Sequence, residues 1–225
     1  MLYALAHPFA LSVLLVSFLV GVVLHGWVQA LLAASFGDAR IKLEQRTGPD
    51  PRRHIDPFGA VAAAISGLGW ALPVSLPDRR RTTHVLAVAL SGPAVNIGIG
   101  SGLLVGYGVL YGPSPEGALS LLLQRGSSAA GQPAALALLL AGLSQLYLGA
   151  LSLLPVPPLD GGRLLLALAP RTAGWQRAEF KLVEQNIGVG VLLALLLIPL
   201  GGPQPLVPQL LDTALAPVVR LLTGG

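Results

Sequence analysis

PFALSVLLVSFLVGVVLHGWVQALLAASF, residues 8–36, is 29 residues without a single Asp, Glu, Lys or Arg, and one histidine, His25, lies deep inside it. Wound as an α-helix rising about 1.5 Å per residue, it exceeds the roughly 30 Å hydrocarbon core of a bilayer. The same pattern recurs outward along the chain. Residues 1–37, 57–77, 82–115, 126–159 and 185–211 are all free of acidic and basic side chains, although the chain is 225 residues long and 11% charged. A soluble domain carries roughly 25% charged residues. Burying so many apolar helices in a soluble fold would need an amphipathic shell, and too few polar residues remain to build one. The sequence therefore specifies an all-α polytopic membrane protein, a single integral membrane domain over residues 1–225.

Membrane helices are expected near 8–36, 84–111, 133–154 and 186–200, with a segment at 57–77 that either spans or re-enters and a tail at 205–222 that dips into the membrane or lies on it. Gly37 suits the end of the first helix. Basic residues cluster on both sides of 57–77: Arg40, Lys42, Arg46, Arg52 and Arg53 before it, Arg79, Arg80 and Arg81 after it. If both clusters lie inside, a stretch broken by Gly59, Gly67, Gly69 and Pro73 must enter and leave on one side; a full crossing is the alternative. The loop at 112–132 is sparsely charged and is expected outside. Gly98, Gly102 and Gly106 form a small-residue stripe of the sort that lets membrane helices approach. Pro155, Pro157 and Pro158 stop the third helix, and Arg163, Arg171, Arg177 and Lys181 mark an inner segment after it. The chain has no cysteine, which excludes disulfides and thiolate metal sites. The net charge of +4 is a topology signal facing lipid, and no nucleic-acid partner is indicated. The first apolar run lacks a basic leader and is too long for a signal peptide.

Ionisable residues inside a bilayer are costly, so each is a candidate site. His25 lies about 17 Å of helix from the inner end of its segment. Asp160 follows the proline break, and a chain unwound there can fold back so that its carboxylate meets the first helix. Taken singly, His25 could simply hydrogen-bond a neighbouring helix, and Asp160 could pair with Arg163. Trp27 and Trp70 read as packing or interface anchors. His54, His84 and His7 read as surface or interfacial histidines.

Several blocks in order make the chain resemble the site-2 protease family of intramembrane zinc metalloproteases: Gly37-Asp38, His54-Ile55-Asp56-Pro57-Phe58-Gly59, Leu68-Gly69-Trp70-Ala71-Leu72-Pro73-Val74, Ser91-Gly92-Pro93-Ala94-Val95-Asn96, and Leu153-Leu154-Pro155-Val156-Pro157-Pro158-Leu159-Asp160-Gly161-Gly162. The resemblance implies a zinc site made by two histidines of a His-Glu-x-x-His helix and the Asp of the Leu-Asp-Gly motif, with the helix glutamate as general base. The matching window here is His25-Gly26-Trp27-Val28-Gln29. It implies His25 and Asp160 as metal ligands, but Gly26 stands where the base belongs and Gln29 where the second histidine belongs. The family counterpart of Asn96 suggests a hydrogen bond to a bound peptide backbone, the alternative being a simple bridge between two helices, and Ser152 stands in the region where the family carries an asparagine.

Histidines at i and i+4 share one helix face and grip one zinc ion, while a neighbouring carboxylate deprotonates its water. Gly26 cannot take a proton. Gln29 offers a neutral amide, and zinc prefers imidazole, thiolate or carboxylate. Loss of a general base alone costs about 10²–10⁴ in rate. The leading expectation is thus a proteolytically impaired, site-2-protease-like pseudoenzyme of the cell membrane. Its zinc would be present by resemblance or lost, and its partners would be membrane lipid and a transmembrane client of the kind handled in regulated intramembrane proteolysis. One alternative is an active zinc metalloprotease with an atypical ligand set that includes Gln29. Another is a small transporter or channel, against which the absence of a second broken helix in a symmetric half counts.

Overall fold

The computed structural model describes residues 7–76, 81–113, 133–199 and 204–225. Helix α1 (Pro8–Ser35) starts on a proline, whose missing N–H costs nothing in the first turn. It ends as its sequence demands. Gly37 takes φ +90°, its amide bonds the Ala34 carbonyl at 3.0 Å, and the Asp38 amide bonds that of Ala33 at 3.1 Å. This pattern closes the orphan carbonyls of a helix end and favours glycine at the left-handed position.

Three short helices follow, each opened by an aspartate whose side chain accepts a backbone N–H: α2 (Ala39–Leu43) from Asp38, α3 (Pro51–His54) from Asp50, and α4 (Pro57–Ser66) from Asp56. Helix α4 rises only about 15 Å and stops at Gly67, with φ +87°. The chain then runs back without regular structure. Ala71 forms an isolated antiparallel bridge with Ile55, and the Leu72 amide donates to the His54 carbonyl at 2.7 Å. A side chain at Gly59 or Gly69 would run into the facing backbone, so these two glycines let the limbs close on each other.

Helices α5 (Thr82–Tyr111) and α6 (Pro133–Ser152) complete the long set with α1, and each of the three is long and apolar enough to cross a membrane. Helix α7 (Asp160–Leu168) packs on α5. Helix α8 (Ala173–Glu179) runs through one π turn (Phe180–Glu184) and bends by 67° into α9 (Ile187–Leu197). At 11 residues α9 is about 16 Å long, too short to cross alone; it reaches a span's length only together with the bent segment before it. Helix α10 (Leu206–Leu222) lies on α5 and α6, where Asp212 accepts from the Tyr147 hydroxyl at 2.8 Å.

Large apolar side chains such as Val16, Val20, Val109 and Leu110 face outward, as lipid contact requires. The chain is an all-α, multi-pass membrane protein. Two expectations change. Helix α6 ends at Ser152 rather than 154, because the proline run tightens its last residues into turns. The Gly98, Gly102 and Gly106 stripe makes no helix contact among the described residues, since none of them lies within 4 Å of where a side chain would begin. The close approaches of α5 fall on its other face, at Gly92 against α1 and at Gly100 against Leu146 of α6. Arg79, Arg80 and most of the 112–132 loop lie outside the described residues.

Candidate functional site

The proline break after α6 brings α7 back against the first helix. Asp160 opens α7, and the glycines after it pack so tightly on the 153–157 backbone that neither could carry a side chain unmoved. The carboxylate thereby reaches α1. Its Oδ2 lies 2.7 Å from His25 Nε2, and Gln29 Nε2 donates to its Oδ1 at 2.8 Å. Room for this contact comes from Gly92, where a Cβ would sit 2.5 Å from the His25 ring and 2.9 Å from the Gln29 amide. Asp160 thus engages His25 and Gln29, and the alternative of a loop pair with Arg163 is not the arrangement found. Of the residues singled out in the sequence, His25, Gln29, Asp160 and Asn96 meet in one buried cluster.

The cluster continues outward as a chain of amides. The Ser17 carbonyl can only accept, so Gln145 donates to it through Nε2 at 2.6 Å. The Gln145 oxygen then accepts from Asn96 Nδ2 at 2.7 Å, and Asn96 Oδ1 faces His25 Nδ1 at 2.8 Å. An amide oxygen has no proton to give, so His25 Nδ1 carries the hydrogen. Its Nε2 then faces the Asp160 carboxylate across the 2.7 Å contact. Asn96 bridges α5 to α1 and α6, the second of its two sequence readings. Gln145 was not singled out in the sequence; a glutamine in the middle of an apolar segment was the available signal.

His54 corrects its sequence reading. It is fully buried, 0% exposed, rather than at a surface. Its Nε2 donates to the Gly48 carbonyl at 2.9 Å, and burial lowers the imidazole below the usual histidine value, with Arg46 adding to the effect. The neutral ring leaves a lone pair on Nδ1, which has no hydrogen-bond partner among the described residues. That atom faces Gly26, where a Cβ would lie only 2.7 Å away. Trp27 donates to the Thr47 carbonyl at 2.9 Å, and Trp70 is buried. His84 stacks on Phe36 with ring centres 3.9 Å apart. A small cavity beside the cluster is walled by Ala71, Leu72, Pro73, Ser152 and Pro158. Arg46 holds one side of this wall, donating to the Leu72 and Pro73 carbonyls at 2.8 Å each.

Fold and site together define a multi-pass membrane protein with a histidine–aspartate pair buried between its helices. No family model matches the chain, and no solved structure matches it. A curated protein of Bacillus subtilis (strain 168), named "Putative zinc metalloprotease YwhC", is 31% identical to it over 204 residues, covering 87% of this chain and 83% of its own length. The chain belongs to that zinc metalloprotease family.

The residues present do not fit the zinc ion that the family name implies. His25 Nε2 and Asp160 Oδ2 point at each other and make two ligands of the usual kind, whereas zinc sites use at least three from the protein. Among the described residues no three His, Cys, Asp or Glu side chains converge. Gln29 turns its N–H, not its oxygen, toward the shared point.

Proposed function

We propose that this chain is a site-2-protease-like membrane protein that has lost hydrolysis and kept the scaffold that holds an unwound membrane segment of a client protein. The observation that carries this reading is the closed contact between His25 and Asp160, capped by the Gln29 amide. Two ligands satisfied by one another, with a glutamine N–H where a third donor pair is needed, leave nothing to polarise water. A glycine at position 26 leaves nothing beside them to deprotonate it. The cavity wall at 71–73 belongs to the hairpin formed by α4 and its returning limb. We take that hairpin to enter the membrane from the inner side, so that irregular backbone lines a cavity next to the cluster, the setting in which membranes tolerate it.

The purified protein is expected to hold far less than one zinc per chain by elemental analysis, and Gln29→His, which supplies a third ligand on the same helix face, to raise zinc toward one per chain. Stoichiometric zinc in the unaltered protein, together with cleavage of a membrane-embedded peptide, would overturn the reading.

A further inference from the structure

We propose that the outward face of α10 docks a transmembrane helix of another protein, one that carries a lysine or arginine opposite Asp212. This surface lies apart from the His25–Asp160 cluster, so the inference does not depend on whether hydrolysis is lost.

Helix α10 runs along α6 in the opposite direction. Near its start Val207 and Leu211 share an apolar cluster with Leu151, next to the end of α6. Farther along, Leu215 and Val219 pack on the cluster that holds Leu104 and Leu139. At its end the Thr223 backbone lies so close to Gly108 of α5 that a Cβ there would sit 2.7 Å from the Thr223 oxygen. The 17 residues of α10 rise about 26 Å, close to the roughly 30 Å of a hydrocarbon core. The helix therefore travels beside the spanning helices rather than lying flat on a membrane surface.

Its other face is polar. Gln209, Asp212, Thr213 and Arg220 are all exposed. Arg220 stands in the last turn, where a long apolar stem can carry its charge to the interface. Asp212 has no such reach. Its Oδ1 accepts from the Tyr147 hydroxyl at 2.8 Å, and Tyr147 is only two residues, about 3 Å of helix, from Gln145 of the buried network. An exposed carboxylate thus lies at the depth of that network. Its second oxygen has no donor among the described residues, and lipid chains offer none. Carboxylates at such depth are costly and almost always face a cavity or a partner.

A second copy of this chain does not supply the missing charge. Residues 1–37, 82–115 and 126–159 contain no Lys or Arg, so α1, α5 and α6 carry none. Two copies inserted in the same sense, related by a two-fold axis along the membrane normal, would set Asp212 against Asp212. The complementary occupant is a helix of a different protein with a cation at this depth. Ala216, exposed one turn beyond Asp212, is small enough to let that helix approach closely.

The test uses the full chain in lipid vesicles and synthetic transmembrane peptides of leucine and alanine, with Lys, Leu or Glu at the depth of Asp212. Because the chain has no cysteine, Gly225→Cys carries a single donor dye and the peptides carry the acceptor. The Lys peptide is expected to bind about tenfold more tightly than the Leu peptide, and the Glu peptide more weakly than either. Asp212→Asn should remove the preference for Lys, and Asp212→Glu should keep it. If Asp212→Asn does not fold, the three peptides on the otherwise unaltered chain decide the matter. Equal binding of the Lys and Leu peptides would overturn the proposal, as would self-association of the chain that Asp212→Asn abolishes. Fast labelling of Thr213→Cys by a membrane-impermeant maleimide would also overturn it, by placing this face in water.

Discussion

Two faces of a single turn of α1 are packed in opposite ways. On the face of His25 and Gln29, polar side chains remain and find partners, so that Asp160, Asn96 and Gln145 complete a closed network around them. On the face of Gly26 there is no side chain, and the His54 ring packs directly against the helix. A buried polar group that keeps a partner is retained in a precise geometry. A position without a side chain is filled by a neighbour's packing, since interiors keep few voids larger than a water.

The contrast can be broken most severely at Asp160. Asp160→Ala would strip His25 Nε2 and the Gln29 amide of their shared acceptor within a buried cluster, a loss of about 3–5 kcal/mol, visible as a large drop in Tm. If Tm barely moved, the closed network would not be what holds α7 to α1. Gly92→Ala should cost less, about 1–3 kcal/mol, since its methyl group would enter the space of His25 Cδ2 and Nε2. Little change there would mean that the His25 ring has room the contacts deny it. The smallest effect belongs to Gly98→Ala, where nothing among the described residues lies within 4 Å. Helix propensity alone applies, and the variant should be neutral or up to about 1 kcal/mol more stable. A marked loss would put a neighbour against that stripe.

The helices were legible because residues 8–36 and the other charge-free runs admit no other environment. The return of Asp160 was legible too, from three prolines that end α6 before a short polar motif. What could not be read was facing. Helix α5 is apolar all round, so no amphipathic stripe tells which glycines look inward. The sequence pointed to Gly98, Gly102 and Gly106, while Gly92 and Gly100 make the contacts. The Gly26–His54 contact was equally hidden. No periodicity links a helix position to a residue 28 places on in a separate short helix, and His54 lies among arginines that suggest a wet surface.

The carbonyl of Ser17 has a reach beyond its own turn. A peptide oxygen cannot reverse its role, so it dictates which end of Gln145 points outward, that amide dictates the sense of Asn96, and Asn96 dictates which nitrogen of an imidazole two turns further along α1 is protonated. The tautomer at the centre of the molecule is thus set by main chain that no side-chain substitution can remove, and any sequence that keeps these two amides inherits the same orientation.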